Sequence, residues 1–348
     1  MARFDHDPLV ARRAALYSIG GAMLSLAGFA ASADGKMNTC LYVDEGLAKY
    51  GFPEGHPLGI DRQGAFLREA NLQSLVEKVH LRGGRPGTRE EIERFHTREY
   101  AAMVSGAEKR GLELLDLGDT PVYPGVYETS VYVVGAALEG LKEVMAGACR
   151  RTLQPIGGLH HAGRGHAAGF CVFNDLGVVI ETLRRQYGVK RVGYVDIDVH
   201  FGDGVYYAFE EDPELILADI HQDGRTLYPG GGHAHETGKG EARGTKLNIP
   251  LKPYSGDREF MDAWERVEAH LQSYRPEFIV FQCGADGLKG DPLASLEYSP
   301  AVHAHAAKRL RALAEKHSRG RIMAFGGGGY NRLNLGRAWS AVLAAFAA

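Results

Sequence analysis

The sequence predicts an α/β fold in three layers, a mainly parallel central sheet covered by helices on both faces. Three observations carry that reading. Short apolar runs alternate with segments of helical period from Met37 onward, which is how successive strand–helix crossovers read in sequence. Neither a linker of biased composition nor an internal repeat divides this stretch, so 37–348 reads as one domain. Four of the apolar runs end in polar groups: GGL before His160-His161, VDIDV before His200, QCGA before Asp286, and GGGG before Tyr330. Open α/β sheets bind their ligands outside the carboxyl ends of the strands.

In chain order the expected strands are NTCLYV (38–43), PIGGL (155–159), RVGYVDIDV (191–199), LILADI (215–220), KLNIPL (246–251), FIVFQCGAD (278–286) and RIMAFGGGG (321–329). The expected helices cover 61–79, 88–104, 127–148, 174–188, 257–274 and 300–317. Thr88 and Glu91 have the spacing of a capping box at the start of the second.

Composition narrows the function. A 348-residue chain with 45% hydrophobic content can bury a substantial core. Its 40 basic and 43 acidic residues nearly cancel, so no global field favours nucleic acid or a membrane surface, and binding must be local. The four cysteines, Cys40, Cys149, Cys171 and Cys283, form no CxxC pair and read as reduced, buried thiols. Residues 1–36 read as an N-terminal extension in a cytoplasmic protein. The alternative is an export signal, because Arg12-Arg13 precede an apolar run that closes on Ala31-Ser32-Ala33. Oligomeric state is left open, a homo-oligomer included.

The stretch VDIDVHFGDG (195–204) carries the chemistry. In an extended chain alternate residues share a face, so Asp196, Asp198 and His200 project together while Val195, Ile197 and Val199 pack away. Two buried carboxylates on one edge repel unless a cation or proton neutralises them. A catalytic zinc takes three protein ligands and keeps a fourth position open. Asp198 and His200 supply two, and Asp286 is the candidate for the third. His160 and His161 suit an acid/base pair beside the metal, each with a carboxylate to fix its tautomer; Asp196 and Asp203 lie in the right motif. His166, His221, His233 and His235 read as loop or supporting residues. Gly326 to Gly329 allow a close backbone approach, but the run lacks a P-loop lysine and any helix cap after it. Tyr330 follows, placed to donate to an oxyanion.

As a set these residues resemble the histone deacetylase superfamily, which also holds the bacterial acetoin-utilisation and acetylpolyamine amidohydrolase proteins. The motifs are GHPLGIDR, FHTREY, GLHHA, GFCVFND, DIDVHFGDG, GKGEARGTKLNIPL, QCGADGLKGDPL and GGGGYN, in family order over some 300 residues. The resemblance implies an arginase/deacetylase-like fold and a zinc-dependent amidohydrolase acting on N-acyl-lysine or similar N-acyl amines. It makes Asp198, His200 and Asp286 zinc ligands. It pairs His161 with Asp203 as general base and acid, and His160 with Asp196 as its electrostatic partner. Tyr330 becomes the oxyanion donor. A potassium ion would sit nearby through Asp196, Asp198 and His200, mostly by main-chain carbonyls, with Asp219 and Ile220. Gly169, Phe170, Tyr228 and Leu293 would line the acyl-lysine tunnel, Asp119 would hold the substrate backbone, and Arg62 would lie behind the site.

Departures refine this. Phe201 stands where a histidine is commonest and, lying off the alternating face, should pack behind the site. Tyr228 replaces a common phenylalanine. Leu293 occupies the place of the glutamate that reads a distant ammonium in polyamine-specific relatives, which favours acyl-lysine over acetylpolyamine. An arginase-like ureohydrolase would need further aspartates for two manganese ions, and GADGLKGDP offers one correctly placed carboxylate. A non-catalytic acyl-lysine binding module is the remaining rival, though every catalytic position is filled.

Overall fold

The structure, a computed structural model, describes residues 38–53 and 55–348; both readings of residues 1–36 lie outside the described residues. Eight strands form one all-parallel sheet: β1 (Thr39–Tyr42), β2 (His80–Arg82), β3 (Arg151–Gln154), β4 (Val192–Asp196), β5 (Leu215–Gln222), β6 (Lys246–Leu251), β7 (Phe278–Gln282) and β8 (Ile322–Phe325). Their spatial order is β2-β1-β3-β8-β7-β4-β5-β6. The predicted three-layer architecture is present.

Among the described residues, ten α-helices flank the strands. They are α1 (Glu45–Ala48), α2 (Arg62–Leu72), α3 (Arg89–Ile92), α4 (Arg98–Ala107), α5 (Val126–Ala146), α6 (Asp175–Tyr187), α7 (Asp203–Ala208), α8 (Asp257–Tyr274), α9 (Pro300–His317) and α10 (Arg332–Ala347). Strand pleating divides the core in two. On β4, Val192 and Tyr194 join the layer of α5 and α6, whereas Val195 faces α8, α9 and α10. The same alternation holds on β7, where Phe278 and Val280 oppose Ile279 and Phe281.

Several expectations need correction. The strand expected at PIGGL lies one step earlier, at RTLQ. Its polar Thr152 and Gln154 are buried, and Gln154 Nε2 donates to the carbonyls of Val133 (3.1 Å) and Ile156 (2.8 Å). The helix expected over 61–79 stops at Leu72, and the edge strand β2 follows. The helix expected over 88–104 is two helices. The Thr88–Glu91 capping box starts α3, and Thr97 then starts α4 by accepting from Tyr100 N. Between them His96 turns inward, where its Nε2 accepts from Asn174 N at 2.8 Å. A helix does follow the glycine run: α10, capped by Asn331, whose side chain accepts from Leu333 N and Asn334 N.

The cysteine reading also changes. Cys40 on β1 and Cys149, just before the neighbouring β3, are joined as a disulfide with Cα atoms 6.1 Å apart, inside the usual range. Parallel pairing of β1 with β3 brings them together across 109 residues, which no sequence spacing reveals. Cys171 and Cys283 are free and buried. Alkylation of the unfolded chain without reductant should therefore label two thiols, rising to four after reduction. Opening the bond by Cys40→Ala should cost roughly 2–4 kcal/mol of stability. Four labelled thiols without reductant would show the pair open.

Candidate active site

The polar groups meet where β4, β7 and β8 end. Asp196 closes β4 and lies in register between Asp219 of β5 and Gln282 of β7. The strand stops there, yet the alternation continues: Val195, Ile197 and Val199 pack into one core layer, while Asp196, Asp198 and His200 are buried among polar partners. Asp286 comes from the loop after β7. His160 and His161 come from the loop after β3, whose last strand residue, Gln154, lies six positions before His160.

Each carboxylate is pinned by named donors. Asp198 Oδ2 accepts from Gln282 Nε2 and Gly328 N, both at 2.8 Å, and Oδ1 accepts from His200 N at 3.1 Å. Asp286 Oδ1 accepts from Val199 N at 3.0 Å. Asp286 Oδ2 is buried and accepts no hydrogen bond, although His200 Nδ1 stands 3.2 Å away. The same Nδ1 lies 3.2 Å from Asp198 Oδ1. Ligand atoms of these three residues lie within 4.8 Å of one another. Buried carboxylate oxygen without a donor, beside an imidazole nitrogen and a second carboxylate, is a donor set that fits a divalent cation.

Burial opposes a charge on His200, but the closeness of Asp198 and Asp286 outweighs it and pushes its pKa up to about 10. Burial first, and then Asp198, push Asp286 up to about 6. The attraction that draws a proton here also draws a metal, so the two compete.

The histidine pair is the second half of the site. His160 Nδ1 is 2.8 Å from Asp196 Oδ2, and His161 Nδ1 is 2.7 Å from Asp203 Oδ1. The two Nε2 atoms face each other at 3.1 Å, so the rings converge. Burial alone would lower both pKa values. At His160 the Asp196 and Asp198 carboxylates reverse it and push the value up to about 10. At His161 burial and the His160 charge prevail over Asp203 and pull it down to about 4. Burial, countered by His160 and reinforced by Asp219, holds Asp196 up at about 7.

The glycines of HFGDG permit contact rather than a turn. A Cβ on Gly202 would lie 2.7 Å from Asp196 Oδ2, and one on Gly204 would lie 2.5 Å from the carbonyl oxygens of both His160 and Ala162. Phe201 packs behind the site as expected, 1% exposed, with its ring 5.1 Å from His221 and 5.3 Å from Tyr206. His221 is more than a loop residue. It is fully buried on β5, with Nδ1 2.7 Å from Asp219 Oδ1, while Gly202 N donates to Asp219 Oδ2 at 3.0 Å. His166 is exposed on a loop, and the rings of His233 and His235 stack 5.4 Å apart.

A cavity of about 220 Å³ leads to the site between Asp119, Gly169, Phe170, Leu227, Tyr228, Leu293 and Tyr330, with His161 and His200 at its base. Its wall is held in an uncommon backbone shape: Gly169 has φ +53° and Phe170 φ +68°. Phe170 N donates to Thr120 Oγ1 at 3.1 Å, and its carbonyl accepts from Tyr50 at 2.9 Å. Arg62 is buried and donates from Nε to the Gly329 carbonyl at 3.1 Å and from Nη2 to that of Gly327. Burial, then the Asp286 and Asp198 carboxylates, raise the Tyr330 phenol well above its ordinary range, so it is a neutral donor.

Some contributors lie outside the residues singled out in the sequence. Gln282 links Asp198 to Gly284 N, which donates to its Oε1 at 2.7 Å. Asp175 accepts from Gly158 N and Leu159 N and so shapes the histidine loop. Asp291 accepts from Tyr330 N at 2.8 Å, and Tyr194 donates to Asp196. Register shows Gln282 opposite Asp196; nothing in the sequence marks the others apart from polarity at the end of a run.

Comparison with known proteins decides the family. The histone deacetylase domain matches residues 56–346. The chain belongs to the histone deacetylase family. It is 35% identical over 267 residues to the acetoin utilization protein AcuC of Bacillus subtilis, covering 74% of this chain and 69% of that protein. It is 31% identical over 317 residues to the histone deacetylase RPD3 of Saccharomyces cerevisiae, covering 87% and 70%. Its fold is similar to the crystal structure of the HDA15 HD domain, with TM-score 0.82, 24% identity and 90% coverage of both chains. Membership implies a deacetylase hydrolase, and this family is generally metal-dependent.

One divalent ion per chain is expected at Asp198, His200 and Asp286. Because His200 must lose its proton to bind it, affinity should rise with pH through the neutral range, with protons released into the buffer. Calorimetry in two buffers of different ionisation enthalpy measures that release, and Asp286→Ala should abolish the one-to-one stoichiometry. Unaltered stoichiometry in Asp286→Ala would place the ion elsewhere.

Proposed function

We propose that the protein is a zinc-dependent deacylase that removes acetyl groups from N-acyl-lysine side chains in peptides or proteins. The observation that carries this is the convergence of two carboxylate-backed histidines on the three-residue metal cluster, at the base of a narrow cavity. Zinc would be held by Asp198, His200 and Asp286, and when bound supplies a Lewis acid that polarises the amide carbonyl and the attacking water.

The protein's own groups handle the proton and the charge. His161 is held neutral with Nδ1 committed to Asp203, so its unprotonated Nε2, which also faces His160 Nε2 at 3.1 Å, can take a proton from the water and return it to the leaving amine. His160, kept cationic by Asp196, balances negative charge that develops beside it. Tyr330, neutral on a loop fixed by Arg62 and Asp291, donates to the oxyanion. Phe170 and Tyr228 flank the lysine stem. Leu293 at the mouth offers no carboxylate to a distal ammonium, which favours acyl-lysine over acetylpolyamine.

Asp196, Asp198 and Asp219 are all buried, a concentration of negative charge that suits an additional potassium ion. Asp219 already spends its carboxylate on Gly202 N and His221, so it would contribute through its main chain, with Ile220. Residues 37–348 constitute the catalytic domain in this reading and 1–36 an extension. A ureohydrolase is disfavoured. Among the described residues the sheet edge holds one metal-type cluster, the other such group being the bonded Cys40 and Cys149 with Glu143.

Zinc-loaded protein should hydrolyse acetyl-lysine peptides, and Tyr330→Phe should lower kcat about 10²–10³-fold, the usual cost of one oxyanion donor. No turnover of any acyl-lysine or acetylpolyamine, with two tightly bound manganese ions per chain, would sink the deacylase reading. A second expectation concerns Asp119, which lines the cavity mouth. Burial, followed by the Asp116 carboxylate, pushes its pKa up to about 6. Ionised, it accepts peptide N–H groups more strongly than its protonated form does, so KM for peptides should rise as pH falls through about 6. A small acetyl-lysine analogue without flanking amides should show no such rise, nor should Asp119→Asn with peptides.

A further inference from the structure

Beside the tunnel mouth lies a larger cavity, about 730 Å³, between the loop of Leu115 to Asp119 and that of His166 to Ala168, with Tyr228 on its rim. Asp119 and Tyr228 line both this cavity and the tunnel, so the two adjoin across these residues. Leu117 at the loop's tip is fully exposed.

That leucine is not on a loose segment. Asp116 Oδ1 accepts from Gly118 N, Asp119 N and Thr120 N, each at 3.0 Å. Thr120 donates its hydroxyl to Asp116 Oδ2 and accepts from Phe170 N at 3.1 Å. The loop tip, the acceptor Asp119 and the tunnel wall are therefore one hydrogen-bonded unit. Asp119 stands at the tunnel mouth and Leu117 two residues away on the wall of the larger cavity, so a residue next to one seated in the tunnel can reach that cavity.

We propose that this cavity is a specificity subsite for an apolar residue adjacent to the acylated lysine, with Leu117 as its determinant. The proposal rests on the acyl-lysine reading above. Leu117, Leu115 and Ala168 offer the apolar contact, and the Tyr228 ring closes the side nearest the tunnel. An apolar side chain gains by burial there, whereas a carboxylate would meet Asp116 and Asp119. The preorganised loop means little ordering is needed on binding, so the preference should appear in KM rather than kcat.

The test uses the full-length, zinc-loaded protein and acetyl-lysine peptides with Leu, Phe, Ser or Asp on either side of the modified residue. Leu or Phe on one side is expected to lower KM about tenfold relative to Ser, the return on partly burying one such side chain. Leu117→Ser should bring that ratio within about twofold while leaving kcat, and turnover of an unflanked acetyl-lysine amide, unchanged. The change is at an exposed position, and unaltered thermal unfolding would confirm an intact fold. Equal KM for all flanks, or a preference that persists in Leu117→Ser, overturns the subsite while leaving the deacylase reading standing. Hydrolysis of no peptide at all defeats that reading and the subsite with it. If Leu117→Ser instead alters the sedimentation coefficient and not the flank preference, the patch joins copies of this chain and the proposal fails.

Discussion

Burying four aspartates, Asp196, Asp198, Asp219 and Asp286, at one end of a sheet is the constraint around which the rest of the molecule is arranged. Each carboxylate taken out of water needs donors or countercharge worth several kcal/mol. The parallel sheet provides both, because all its strands end on the same side and leave their backbone N–H groups and loops there. Asp198, Asp286 and Asp219 draw on the main-chain N–H groups of His200, Gly328, Val199 and Gly202. His160, His200 and His221 supply the imidazole partners.

That arrangement explains features that look unrelated. Glycine is needed at 202, 204 and 328 because a Cβ at any of them would collide with an aspartate or with the histidine-loop backbone. Trp339 of α10 donates its one N–H toward both the Cys283 and Gly326 carbonyls, each at 3.1 Å. It thereby ties together the loops that carry Asp286 and Tyr330. Arg62 is buried for the same purpose, its guanidinium 5.2 Å from the Trp339 ring while it holds the carbonyls of the glycine run. Helices on one face of the sheet thus fix the geometry of the polar groups gathered at its edge.

Legibility in the sequence follows the range of the interactions. Period-two spacing put Asp196, Asp198 and His200 on one side, and this survives even though the strand ends at Asp196. Apolar runs located most strands, but β3 escaped because Arg151, Thr152 and Gln154 break the run, their cost met by contacts no local pattern encodes. Helix α10 was readable in principle: Asn331 is a capping residue, and Leu335, Trp339, Val342 and Phe346 recur at helical spacing. Gln282 was hidden by its position at the end of the apolar run FIVFQ. The Cys40–Cys149 bond depends on which strands become neighbours, and sequence spacing carries no information about that.

The two histidines show how neighbouring residues with the same chemistry acquire different roles. Their rings meet at Nε2 and each Nδ1 faces one carboxylate, so hydrogen bonding alone does not distinguish them. What differs is the surrounding charge. His160 lies against the buried Asp196, with Asp198 3.9 Å from its Nε2, whereas Asp203 beside His161 is partly exposed and its field is weakened by water. A proton therefore resides on His160, and its charge helps keep His161 free of one. The neutral imidazole faces the substrate cavity, the arrangement a general base requires. Depth in the sheet edge, rather than residue identity, sets which histidine is left neutral, and that is the one proposed as the base.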